Sequence, residues 1–223
     1  MNTTAFLVTL LGCFLLAKAT EEQQQEEEEV EYEELGEVPV PRRLVTKSLV
    51  LNNGLPWGSW GPVEYCEDGS FAVDMEIKFE PYDLLDTDET ALNAVKLYCA
   101  TPDMHQRGYI TSTEGANGQW QGMRFCEDGY LTGMRAQVLK SQGVIGDDVA
   151  VQNLEMECNY GPSTVVGVQG TAARFPKGDW SQWSRCANGS AICGIETRVE
   201  AVSLVNDDTG ATDLTMFCCS LKD

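Results

Sequence analysis

One histidine, His105, stands in 223 residues, and 15 lysines and arginines face 35 aspartates and glutamates. So small a share of base argues against nucleic acid as a partner. No CxxC pair occurs and His105 has no metal-ligand spacing to any cysteine, so a zinc site finds no ligand set. No serine or cysteine motif accompanies His105 either, which leaves nucleophilic catalysis without support and reads that residue as a surface histidine. An uncharged, largely apolar run over Ala5 to Leu16 falls short of the ~20 residues a membrane-spanning helix needs. With Ala17-Lys18-Ala19 after it, the run reads instead as a secretory signal, although no lysine or arginine precedes it. Base is also missing from Glu21 to Glu37, where ten glutamates occur. That stretch repels itself and reads as a disordered acidic tail, or as an arm for a basic partner or multivalent cations. From Val38 onward 25 acidic and 14 basic residues leave a formal charge of −11. No part of the chain beyond the leader sustains a helical period.

What is present is cysteine. Of nine, Cys13 falls in the leader, and the other eight are Cys66, Cys99, Cys126, Cys158, Cys186, Cys193, Cys218 and Cys219. An even number in a secreted chain argues for disulfides. Their spacing exposes a threefold repeat: Trp60, Trp120 and Trp180 are sixty residues apart, and so are Cys66, Cys126 and Cys186. Cys99, Cys158 and Cys218 follow at intervals of 59 and 60. Each of these last three is preceded, by eleven and ten residues, by an acidic pair: Asp88-Glu89, Asp147-Asp148 and Asp207-Asp208.

Inside the repeats the period is two. Phe71, Val73, Met75, Ile77 and Phe79 alternate with Ala72, Asp74, Glu76 and Lys78, the pattern of a half-buried strand. Met134, Ala136 and Val138 keep that phase in the second repeat, and Ile195, Thr197 and Val199 in the third. Glycine-containing turns break the chain into about four short antiparallel strands per repeat. A sheet of that size cannot hide its apolar face alone, so three of them are expected to face inward around a common axis. Residues 1–19 are read as signal, 20–45 as acidic tail, and 46–223 as one domain with repeats over roughly 46–105, 106–164 and 165–223. The expected bridges are Cys66–Cys99, Cys126–Cys158 and Cys186–Cys218, each tying a Trp-to-Cys segment to the last strand of its own sheet, with Cys193–Cys219 left over. Cys218 and Cys219 are adjacent and could exchange partners. Loops of this length stabilise by roughly 3 to 4 kcal/mol per bridge in the chain-entropy model.

The segment PWGSW with a cysteine six residues after its second tryptophan, CEDGSFAVDMEIKFEP, DETALNAVKLYC and the terminal FCC together resemble the vitelline membrane outer layer protein 1 family, over roughly residues 47 to 221. The resemblance implies an all-β fold, a type I β-prism of three Greek-key sheets. It also implies a secreted protein of egg coats and mucosal secretions with an affinity for carbohydrate. The second repeat departs from the pattern with Val149 where threonine follows the acidic pair elsewhere, and with Arg135 and Gln137 on its central strand.

The acidic pairs recur in every repeat, which favours capping of turns through backbone amides over calcium, sugar contact or catalysis. Trp60, Trp120 and Trp180 recur likewise and are expected in the core, because large aromatics are mostly buried. Trp57 and Trp183 occur once each and are the candidates for a sugar-facing or partner-facing surface. Asn188-Gly189-Ser190 is a glycosylation sequon on what is also a turn dipeptide; a turn explains Asn-Gly without a glycan, but an exposed turn is also a suitable acceptor, so Asn188 is the glycosylation candidate. The expected function is a stapled, non-enzymatic coat or mucus protein associating with glycoproteins or glycans, without cofactor or metal. The alternative is a carbohydrate-active enzyme on N-acetylglucosamine-type oligosaccharides, with Asp88, Glu89, Asp147, Asp148, Asp207 and Asp208 supplying its carboxylate pair. A membrane-active defensive role would rest on fold analogy alone.

Overall fold

Alternation in the sequence becomes strands in a computed structural model, which describes residues 43–81, 90–140, 150–168, 178–200 and 209–222. The leader, the acidic tail as far as residue 42, and all six residues of the acidic pairs lie outside the described residues. Among the described residues every regular element is a strand, and no helix is long and apolar enough to cross a membrane.

The first stretch supplies β1 (Val45–Val50) and two short pieces, β2 (Ser59–Trp60) and β3 (Glu64–Tyr65). Next come the long pair β4 (Phe71–Phe79) and β5 (Leu92–Ala100), then β6 (Gln106–Ile110), β7 (Gln119–Trp120) and β8 (Arg124–Phe125). The same series recurs as β9 (Leu131–Val138), β10 (Val151–Cys158), β11 (Thr164–Val166), β12 (Asp179–Trp180) and β13 (Ser184–Arg185). A last long pair, β14 (Ser190–Val199) and β15 (Ala211–Ser220), ends it.

Three antiparallel sheets result, each with four positions. Sheet I runs β6-β5-β4, with β7 and β8 together filling the fourth position beside β4. Sheet II runs β11-β10-β9 with β12 and β13, and sheet III runs β1-β15-β14 with β2 and β3. In sheets I and II three consecutive strands are followed by a connection returning to the first of them, which is a Greek key. Sheet III completes the same order with the two ends of the chain, pairing Val45 with Cys219 and Val50 with Thr215. The three-sheet β-prism expected from the resemblance is therefore the observed fold.

Inward-facing residues of all three sheets meet in one core. Met75, Ile77 and Leu97 of sheet I, Met134, Leu154 and Met156 of sheet II, and Ile195, Leu214 and Met216 of sheet III are fully enclosed within it. Burying side chains of this size stabilises by about 1.5–3 kcal/mol each. Bulges also recur in step, at Val73, Thr132 and Cys193 near one end of the long pairs and at Asn93, Gln152 and Thr212 near the other. They add twist and let each sheet curl.

All four expected disulfides are present, Cys66–Cys99, Cys126–Cys158, Cys186–Cys218 and Cys193–Cys219. Their placement corrects one expectation. Each Trp-to-Cys segment lies not in its own repeat's sheet but in the preceding one: β2 and β3 flank β14, β7 and β8 flank β4, and β12 and β13 flank β9. Cys66 donates its amide to Cys193 O of sheet III (2.8 Å) yet bridges to β5 of sheet I, and Cys186 donates to Thr132 O of sheet II (2.8 Å) yet bridges to β15 of sheet III. Three bridges thus run from sheet to sheet around the prism, and only Cys193–Cys219 joins two strands of one sheet.

Candidate functional site

The tryptophan of each repeat is positioned by a glycine two residues before it. Gly58, Gly118 and Gly178 lie flat against the end of a long strand, where an added Cβ would come within 2.3 Å of Val199 O, 2.5 Å of Phe79 C and 2.3 Å of Val138 C. Gly58 and Gly118 also hold φ values of +73° and +77°. No side chain fits such an approach. The residue of the long strand that faces each segment holds it by a second device. Arg198 Nε donates to Gly58 O (3.3 Å), Gln137 Nε2 to Gly178 O (2.9 Å), and Lys78 Nζ to Gly115 O (2.8 Å). Gln137, a departure from the sequence pattern, performs the same task as the two cations.

Held this way, the tryptophans lie on the outer faces. Trp60 is 40% exposed and Trp180 37%, and Trp120 is half-buried, so the expectation that the three rings pack in the core is wrong. The β4-to-β7 register explains it: Lys78 opposes Trp120 and points outward, and so must its neighbour. Each ring meets a cation there. Lys96 Nζ lies 3.9 Å from the Trp120 centroid and 4.5 Å from that of Tyr109, and Arg198 lies 5.8 Å from Trp60.

Sheet II carries the longest such series. The Arg135 guanidinium is 4.8 Å from the Trp180 ring and 4.9 Å from the Trp183 ring, and Arg185 is 5.0 Å from Trp183. Rings and guanidiniums alternate as Trp180, Arg135, Trp183, Arg185. Carboxylates fix both cations: Arg135 Nε donates to Glu155 Oε2 at 2.7 Å and Arg185 Nε to Glu157 Oε2 at 2.6 Å, while Thr164 Oγ1 donates to Glu155 Oε1 at 2.8 Å. Cation–π contacts contribute about 0.5–2 kcal/mol each. Trp183, half-buried, lies between two cations; Trp180 is the more open ring.

Sheet I has its own network. Glu76 Oε2 accepts from Tyr98 OH at 2.7 Å, Glu76 Oε1 accepts from the Gly122 amide at 2.9 Å, and Lys96 Nζ stands 3.8 Å from the same carboxylate. Burial first, and then the hydrogen bond to Glu76, pushes the Tyr98 phenol up to about 12. Among the described residues, Asp74 of β4 and Asp213 of β15 are the carboxyls that burial pushes upward, each countered in part by a backbone amide, from Cys126 and Leu214. They belong to different sheets and form no pair. Between β8 and β11 runs a shallow groove lined by Met123, Arg124, Phe125, Thr164, Val165 and Val166, with Phe125 65% exposed.

The other residues singled out in the sequence fall as follows. Trp57 is half-buried, and its carbonyl accepts from Thr212 Oγ1 at 2.6 Å. Asn188 is exposed in the turn before β14, with Gly189 at φ +81°. His105 is exposed at the surface, 3.1 Å from Asp103. The threonine after the acidic pair proves to be a turn partner: Thr90 Oγ1 donates to Glu80 Oε2 at 2.7 Å, and Thr209 Oγ1 to Glu200 Oε2. The second repeat has Lys140 at the glutamate position, so its Val149 and Lys140 depart together. Among the described residues no group of three or more potential metal ligands converges. The repeated Gly-x-Trp is a local signal for the glycine two residues before each tryptophan; the cations over the rings carry no local signal.

Comparison with known proteins bears on this arrangement. The family model for vitelline membrane outer layer protein I matches residues 47–221. The chain belongs to the vitelline membrane outer layer protein I family. Its curated relatives include a human vitelline membrane outer layer protein 1 homolog, 31% identical over 177 residues, covering 78% of this chain and 83% of that protein. A mouse homolog is 30% identical over 173 residues, covering 76% and 82%. Among solved structures, Calystegia sepium agglutinin matches 81% of this chain and 99% of its own at 13% identity, with a TM-score of 0.45. This family member is thus a four-disulfide β-prism whose outer faces, rather than its core, carry the repeated tryptophans.

Proposed function

We propose that this family member is a secreted, non-catalytic structural protein of an extracellular coat or mucosal secretion, which associates with glycans or glycoproteins through its outer faces. The carrying observation is the alternation of Trp180, Arg135, Trp183 and Arg185 on sheet II. A pyranose presents an apolar C–H face and a rim of hydroxyls. An indole held flat and open to solvent suits the first, and neighbouring polar groups suit the second. Glu155 and Glu157 hold the guanidiniums in place, so little side-chain freedom is lost on binding. The ring of disulfides suits a matrix exposed to proteases, because it restrains the opening of one sheet from the next.

The test is a glycan and glycoprotein array probed with the full secreted chain and with Trp180→Ala, Trp183→Ala and Trp57→Ala forms, each checked for native circular dichroism. Saturable binding that falls at least tenfold in the Trp180 and Trp183 variants is the expected result. Absence of binding by the parent chain to every glycan and glycoprotein would overturn the proposal.

A further inference from the structure

We infer that Trp180 is an acceptor for C-linked mannose, carried on carbon 2 of its indole. Two facts point there. Trp180-Ser181-Gln182-Trp183 places two tryptophans three residues apart, followed after Ser184 and Arg185 by Cys186, and W-x-x-W is the pattern lumenal C-mannosyltransferases act on. Trp180 is also open to solvent in the folded protein, 37% exposed at the end of the ring–guanidinium series, with Arg135 4.8 Å from its ring.

The repeat supplies an internal control. Trp120 occupies the same register position on sheet I but is followed three residues later by Met123, so it lacks the second ring. Trp57 and Trp60 share the spacing, so the same pattern marks Trp57 as a second acceptor.

The chemistry balances without a redox partner. A bond forms between indole C2 and the anomeric carbon of mannose, and the bond from that carbon to the phosphate of a polyprenyl-phosphate mannose donor breaks. The polyprenyl phosphate leaves, and the C2 proton departs to restore aromaticity. This step takes place in the lumen of the secretory pathway, so the inference rests on the secretory routing proposed above.

The full chain is expressed in animal cells and collected from the medium. Reduction and cleavage after lysine and arginine give peptide 178–185, which holds both Trp180 and Trp183. The expected result is that most of this peptide is heavier by one hexose. On fragmentation that sugar should break across its ring and leave a remnant on Trp180, while the Trp120 peptide, 108–124, stays unmodified. Trp183→Ala should abolish the hexose. Met123→Trp, at a position already 40% exposed, should create one on Trp120, which keeps the test decisive if the Trp183 variant fails to fold. Secreted protein with an unmodified Trp180 overturns this inference alone, as does a hexose shed whole from Ser181 or Ser184. Retention of the full chain inside the cell with its leader uncleaved overturns the secretory routing as well.

Discussion

Asp74 is a carboxyl 8% exposed on a strand of otherwise conventional alternation, and burial raises its pKa above the ordinary 3.8. The folded state therefore binds its proton more tightly than the unfolded chain, so this group's contribution to stability falls as pH rises from 3.8 through the folded value. Asn at this position keeps a neutral oxygen for the Cys126 amide. Asp74→Asn is expected to raise the denaturation midpoint at neutral pH, with an advantage that shrinks to nothing in acid below the unfolded carboxyl's pKa; an advantage independent of pH would show that the charge is not the cause. At this scale the sequence was legible where a residue's role is local. Gly69, Gly129 and Gly189 announce turns and adopt positive φ, and His105 stands at the surface. It was not legible where the partner is distant. Trp120 is read as core from its type, yet it lies at the surface against Lys96, a neighbour only across the sheet.

Strands and bridges set the next scale. The period-two pattern located β4, β9 and β14, because alternation is a direct image of one face in and one face out. The spacing of the cysteines identified the four pairs. It left Cys218 and Cys219 exchangeable and put three of the bridges within single sheets, wrongly, since a loop of 32 or 33 residues reaches either the same sheet or its neighbour. The structure answers that the Trp-to-Cys segments are lent backward to the preceding sheet. Replacing Cys126 and Cys158 together by alanine should cost about 3–4 kcal/mol by the chain-entropy model. Replacing Cys193 and Cys219, with a separation of 26, should cost nearly as much, because loop length enters only logarithmically. Hydrogen exchange separates the two cases. Loss of Cys126–Cys158 should raise exchange along the seam between sheets I and II, whereas loss of Cys193–Cys219 should act within sheet III; equal exchange at that seam in the two variants would contradict the sheet-to-sheet placement.

As a whole molecule the prism is a ring of three sheets interrupted once. Val45 at the start of β1 lies opposite Cys219 near the end of β15, so a short hairpin linker from Ser220 to Val45 would close the chain. A circular permutant opened between Asp68 and Gly69, an exposed turn, should fold with the same four disulfides and a melting temperature within a few degrees of the parent. Scrambled bridges in the permutant would show that chain order, and not the packed core, selects the pairing. The threefold repeat made this architecture legible, since three equivalent amphipathic sheets have few ways to hide their apolar faces. That the third sheet is built from both ends was not, because nothing in a local pattern says where a strand finds its partner. The closure also governs how the molecule is born. β1 is among the first elements to leave the ribosome and β15 the last, separated by on the order of ten seconds of translation. Until then Leu49, fully enclosed in the finished protein, has no sheet to enter, so β1 must wait for β15 before it can fold.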